Sequence, residues 1–185
     1  MGTTPNRAIP YPEPSDLVTN GAAAMQALAE GVDDAMGAPL GFASYLPANK
    51  AVANAVWTTL NGLTEVTDRG GNLDPAAGVY TVPVAGLWLF TANAFWQSST
   101  VGARYLALWR ATSVSVFFEI PGTAQTAPSG LDPRMQASAV LHCNAGDRIK
   151  VQAFHTAGAN LNVIGTVDYG ADNAARFGGA LLVAD

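Results

Sequence analysis

Leu87-Trp88-Leu89-Phe90-Thr91-Ala92-Asn93-Ala94-Phe95-Trp96 decides the fold. Side chains of an extended strand alternate between two faces. Trp88, Phe90 and Trp96 therefore share one face, and Leu87, Leu89 and Phe95 share the other. One apolar face suffices to pack a strand onto the core of a sandwich. The second needs another cover, and a neighbouring copy of the chain is the expected source. Tyr105 and Trp109 lie on one face of the next candidate strand, and they are expected to join that contact.

Similar segments surround this one. Strands are predicted over 55–60, 64–67, 78–82, 87–96, 103–111, 113–120, 135–143, 148–155, 161–167 and 177–183, with turn residues such as Asn61-Gly62, Gly70-Gly71 and Asn144-Ala145-Gly146-Asp147 between them. In 148–155, Ile149, Val151 and Ala153 point inward, whereas Arg148, Lys150 and Gln152 point outward. In 113–120, Val114, Val116, Phe118 and Ile120 are expected on one face. Short strands without helical periodicity between them, and without an internal repeat, indicate an all-β sandwich or jelly roll over 40–185.

Two different zones precede it. Residues 1–14 carry Pro5, Pro10, Pro12 and Pro14. Proline removes backbone donors and favours extended chain, so an extended arm is expected, with Ile9 and Tyr11 as anchors for a partner's groove. Residues 15–37 read as one short α-helix, with Ser15 or Asp16 as N-cap. Val18, Met25, Leu28, Val32 and Ala35 follow a heptad-like spacing, so three copies could meet along it. Gly37-Ala38-Pro39 ends it. Met25, Leu28 and Val32 join Ile9 and Tyr11 as expected attachment residues.

Composition limits the partners. Of 185 residues, 12% are charged, against roughly 25% in an average soluble protein. Surface of that kind is neutral or covered by other chains. The formal net charge is −5 and no basic run occurs, which argues against sequence-independent nucleic-acid binding. No apolar stretch approaches the ~20 residues of a membrane helix, so no membrane partner is expected. Met1-Gly2-Thr3-Thr4-Pro5 lacks the form of a secretory leader. A single cysteine, Cys143, excludes an intramolecular disulfide.

Three motifs resemble the complement component 1q and tumour necrosis factor superfamily. They are Tyr80-Thr81-Val82-Pro83-Val84-Ala85-Gly86-Leu87-Trp88-Leu89-Phe90, the turn Gly146-Asp147-Arg148-Ile149, and the closing Phe177-Gly178-Gly179-Ala180-Leu181-Leu182-Val183. The resemblance implies a ten-stranded jelly roll that forms a homotrimer about its strand axis. The expected trimer interface is then Leu87, Leu89, Phe95, Tyr105 and Trp109. Pro83 and Gly86 should turn the chain between strands, and Gly178 and Gly179 should allow close backbone approach. Pro10-Tyr11-Pro12-Glu13-Pro14-Ser15-Asp16, with Ala22-Ala23-Ala24-Met25-Gln26-Ala27-Leu28-Ala29, resembles the opening of minor tail and fibre proteins of phages infecting actinobacteria. That resemblance implies a virion component held by other tail proteins. A capsid decoration protein anchored by the same arm is the alternative, and a cell-wall polysaccharide hydrolase a second.

Catalytic chemistry finds little support in the sequence. His142 and His155 are the only histidines, and no nucleophile elbow, zinc-binding His-Glu-x-x-His or phosphate loop occurs. Both histidines are expected to be structural or superficial. Asp168, Asp172 and Asn173 offer hard oxygen ligands of the kind calcium takes, but turn chemistry selects the same residues. Glu119, Asp132 and Asp147 are too scattered to be read as a glycosidase pair. No enzyme activity, cofactor or metal is expected. The long irregular stretch 122–133, with the segments 96–102 and 169–173, is the expected recognition surface, carrying Gln125, Thr126, Ser129, Tyr169, Asp172 and Asn173, for which a host cell-surface glycan is the expected ligand.

Overall fold

The computed structural model describes residues 2–3, 10–11, 21–36, 40–112, 116–121, 125–127, 133–166 and 174–185. It divides into two compact units, Met1–Pro39 and Leu40–Asp185.

In the first unit, β1 (Gly2–Thr3) pairs antiparallel with β2 (Pro10–Tyr11), Gly2 lying opposite Tyr11. Both described pieces of residues 1–14 are extended, and they pair with each other. A two-residue ladder is all edge, so the donor missing from Pro10 is tolerated. The helix α1 (Gly21–Met36) follows. Ala24 is buried, and Leu28 and Val32 are half-buried on the same stripe, four residues apart. Met25 stands at the rim of that stripe and is 69% exposed. The predicted N-caps Ser15 and Asp16, together with Val18, lie outside the described residues, as does Ile9.

The second unit contains β3 (Gly41–Tyr45), β4 (Lys50–Val52), β5 (Thr58–Thr59), β6 (Thr64–Asp68), β7 (Leu73–Asp74), β8 (Val79–Thr81) and β9 (Gly86–Phe95). It continues with β10 (Arg104–Ala111), β11 (Phe118–Glu119), β12 (Gln125–Ala127), β13 (Arg134–Cys143), β14 (Arg148–His155), β15 (Leu161–Val163) and β16 (Arg176–Ala184). Sheet I has the order β13-β9-β16-β3-β6. Sheet II has the order β11-β10-β14-β8-β7, with β12 also on β10 and β5 also on β14. The pairings are antiparallel. Neighbours in a sheet are often distant in sequence, which is the mark of a jelly roll.

The inner faces meet over one core. Sheet I contributes Phe42, Trp88, Phe90, Ala92, Met135 and Phe177; sheet II contributes Tyr80, Leu106, Leu108, Ile149 and Val151. Tyr80 bridges the layers: its ring stacks on Phe42 with centroids 4.0 Å apart and lies 5.7 Å from Trp88. Trp88 stacks on Phe90 at 5.9 Å, and its Nε1 donates to the Val84 carbonyl at 3.2 Å. That bond satisfies the indole donor at the edge of a dry interior.

Several elements depart from the sequence expectation. Val114 lies outside the described residues; among the described residues of 113–120 the strand is Phe118–Glu119, Val116 and Phe118 are exposed, and Ile120 is buried. Strict alternation held in the sequence, but this segment lies at the edge of sheet II, where one pairing partner cannot hold a full strand. The predicted strand 55–60 shrinks to β5 because Ala55 adopts φ +59°, a left-handed turn conformation. Within 122–133, expected to be irregular, β12 pairs with β10. The short strands β3, β4 and β7 are absent from the sequence expectation; β3 and β4 are fixed by distant partners, whereas β7 pairs locally with β8. β3, for instance, is held between β16 and β6.

Candidate functional site

The residues expected to form one interface lie on two opposite surfaces of the sandwich. Leu87, Leu89 and Phe95 project from the outer face of sheet I, because their neighbours Trp88, Phe90, Ala94 and Trp96 fill the core. Tyr105 and Trp109 project from the outer face of sheet II, opposite Phe154 and Lys150 respectively. They cannot extend the Leu87 patch within one chain. The connection from β9 to β10 crosses between the two sheets, which periodicity does not reveal.

On sheet I, Leu89 pairs with Val140 on one side and Ala180 on the other, and Leu87 pairs with His142 and Val183. Leu87 is 36% exposed, Leu182 49%, Val140 55% and Val183 61%. The β-bulge between Leu181 and Val183 inserts Leu182 into this end of the face. The patch is apolar and contiguous across three strands. Phe95 differs: it is buried within the single chain, with the Arg134 guanidinium 5.0 Å above its ring. Val140 and Val183 are absent from the sequence expectation: the alternation of 135–143 points Val140 outward, whereas alternation from Phe177 would turn Val183 inward, and only the bulge brings it to the outer face. At the rim, His142 Nε2 lies 3.0 Å from both carboxylate oxygens of Asp185.

On sheet II a second cluster forms around Trp57, which sequence reasoning also missed. Its ring lies 5.2 Å from Phe154, 5.4 Å from Trp109 and 6.4 Å from Tyr105. All four are half-buried. Beside Trp109 stands Lys150, whose Nζ is 4.1 Å from the centre of the Phe117 ring; the Arg148 guanidinium is 5.0 Å from the same ring. Burial, and then the Arg148 charge, lowers the affinity of Lys150 for its proton. At the far side of this face Gln152 Nε2 donates to Thr59 Oγ1 at 3.2 Å.

The remaining polar groups serve the scaffold. Asp147 is buried and accepts from Arg110 Nη2 and from the Asn144 N–H at 2.9 Å, while Arg110 Nη1 donates to the His142 carbonyl at 3.1 Å. This network closes one end of the sandwich. At the other end Arg104 is fully buried and donates to the carbonyls of Ser99 at 2.8 Å and Gly102 at 3.0 Å. His155, equally buried, contacts the Val52 carbonyl through Nε2 at 2.8 Å and accepts the Ala157 N–H at Nδ1. The two histidines are thus not brought together. Cys143 is buried, and its thiol is pushed up to about 11, chiefly by burial.

Of the expected recognition residues, Gln125 and Thr126 sit in β12, with Thr126 opposite Tyr105. Ser129, Tyr169, Asp172 and Asn173 lie outside the described residues, and so does the calcium-like segment containing Asp168. Among the described residues no group of three or more His, Cys, Asp or Glu side chains is placed to hold a metal ion. No described helix is long and apolar enough to cross a membrane. Tyr11, Gln125 and Thr126 are described by their backbone alone.

No family model matches the sequence. An uncharacterized protein, L688, of Acanthamoeba polyphaga mimivirus is 29% identical over 100 residues, which is 53% of this chain and 42% of that protein. The match therefore spans less than half the length of this viral relative. Three solved structures share the architecture. The globular domain of zebrafish complement 1qA superposes with a TM-score of 0.54 and 18% identity, covering 79% of this chain and 99% of that one. Eiger TNF from S. frugiperda gives 0.58 and 15%, covering 80% and 96%. Murine APRIL gives 0.57 and 15%, covering 78% and 100%. The β-rich part of the chain thus has the jelly-roll fold of the complement 1q and tumour necrosis factor heads.

Proposed function

We propose that the chain is a non-catalytic, homotrimeric virion protein whose jelly-roll head is presented to the host cell surface from the phage tail, with residues 1–39 as the attachment segment. One observation carries the trimer: Leu87, Val140, Leu182 and Val183 form an exposed apolar face on sheet I. Such a face would cost free energy in water at about 25 cal/mol per Å² of apolar surface left exposed. Three copies around an axis cover it without leaving an open end, as closed symmetry requires. The complement 1q and TNF fold supports this arrangement. The viral relative supports the virion setting, and the resemblance of the N-terminal zone to phage minor tail proteins supports the tail. Against catalysis stands the placement of the two histidines, one in an exposed contact with Asp185 and the other sealed inside.

The test has two readouts. Sedimentation of the full chain at micromolar concentration should give three times the monomer mass; a monomer overturns the trimer. Immunogold labelling of virions should mark the tail; label on the capsid overturns the tail placement, and unlabelled virions overturn the virion reading.

A further inference from the structure

We infer that the outer face of sheet II is a binding surface for a carboxylated saccharide, with Trp57 and Tyr105 as the stacking platform and Arg148 and Lys150 as the acid-binding pair. This deepens the reading above by naming the class of cell-surface ligand, and it rests on that reading only for the outward orientation of the face. The site itself lies within one chain.

Charge complementarity argues for this occupant. The protein is acidic overall, with nine Lys and Arg against fourteen Asp and Glu. Arg148 and Lys150 nevertheless stand on one face of one strand, two residues apart, at a separation of about 7 Å along the chain. Both approach the ring of Phe117. The Phe117 ring attracts the Lys150 ammonium but supplies it no ordinary hydrogen-bond acceptor. Among the described residues Lys150 has no carboxylate or carbonyl acceptor, so its three N–H donors are available for an incoming anion. A carboxylate set between two neighbouring cations also relieves their mutual repulsion.

The rest of the face fits the neutral part of a sugar. Trp109, directly opposite Lys150 in the ladder, joins the cations to Trp57, Tyr105 and Phe154. The slightly positive C–H groups of a pyranose pack on the negative faces of aromatic rings. Gln152 and Thr59 add amide and hydroxyl groups. Glu119, paired with Trp109 on the side away from Lys150, repels an acid there and so sets the orientation: carboxylate over Arg148 and Lys150, pyranose ring over Trp57 and Tyr105. An acidic peptide would satisfy the cations but would leave the ring platform unused.

The experiment is calorimetric titration of the full chain with hexagalacturonate and with a hyaluronan hexasaccharide, using maltohexaose and poly-glutamate as controls. At least one acidic saccharide should bind with a sub-millimolar Kd that weakens with added salt, and neither control should bind comparably. Lys150→Gln with Arg148→Gln should weaken binding at least tenfold without changing the melting temperature by more than a few degrees. Trp57→Ala should weaken it similarly; if that variant is poorly folded, Tyr105→Leu replaces it. Failure of both acidic saccharides to bind, equal binding by the cation variant, or equal binding of poly-glutamate overturns the inference. Mass measured on the same sample separates the two readings: a monomer that binds overturns only the trimer, and a trimer that does not bind overturns only this site.

Discussion

Gly179 leaves the space that the Phe90 ring occupies: a Cβ added at Gly179 would stand 2.6 Å from Phe90 Cδ1. The same Cβ would lie 3.0 Å from Phe42 Cε1. The sequence motif predicted close approach of backbones at this glycine, whereas the atoms that approach are aromatic rings. β16 lies between β9 and β3 in sheet I, and the rings lean across it from both sides. Gly179→Ala should therefore overpack the core and cost about 1–3 kcal/mol. Chemical denaturation would measure it as a lower midpoint at unchanged slope; a neutral substitution would show that the rings can yield.

The buried Asp147 and the half-buried Arg110 form an ion pair at one end of the sandwich, with Asn144 held to the same carboxylate. Removing the charge of Asp147 leaves a guanidinium that is only partly exposed and an N–H donor facing a weaker acceptor. Asp147→Asn should cost about 2–3 kcal/mol. Coupling to Arg110 is measurable by a double-mutant cycle, in which Arg110→Met together with Asp147→Asn should cost less than the sum of the single changes. Additive costs would mean that the two side chains act independently.

Burial raises the Cys143 thiol to about 11, with Asp147 adding to the rise and Arg110 opposing it. The unfolded chain binds its thiol proton less tightly than the native one. This contribution to stability is therefore complete below the ordinary thiol range, and it is lost as pH rises toward 11. Two outcomes follow. A thiol-specific chromogenic reagent at pH 8 should react with the native protein far more slowly than with the unfolded one. Cys143→Ser or Cys143→Ala should flatten the fall in melting temperature between pH 9 and 11. Fast native labelling at pH 8 would contradict the buried placement.

Val140 lies opposite Leu89 on the outer face of sheet I and is exposed in the single chain. A charge there meets water in a monomer but apolar surface in an assembly. Val140→Glu should leave the fold intact, change monomer stability by less than about 1 kcal/mol, and shift the measured mass from trimer to monomer. Circular dichroism and sedimentation equilibrium on one sample check both halves of the expectation. A variant that remains trimeric would place the contact elsewhere on the surface.

Period-two patterning by itself determined the all-β class, the long strands β9, β10, β13, β14 and β16 to within about two residues, the inward face of β14, and the grouping of Trp88 with Phe90 on one face of β9. Trp88, Phe90, Ile149 and Val151 occupy the core as their alternation requires. The resemblance of three short motifs was enough to anticipate the jelly roll. Local pattern could not reveal which sheet a strand joins, because alternation is the same whichever neighbour provides the hydrogen bonds. Only the tertiary structure therefore separated Leu87 from Tyr105 and gathered Trp57, Tyr105, Trp109 and Phe154 from three chain segments. It also revealed that Val116 and Phe118, despite strict alternation, stand exposed at a sheet edge. Burial is decided by what packs against a face, and for a jelly roll those partners come from far along the chain.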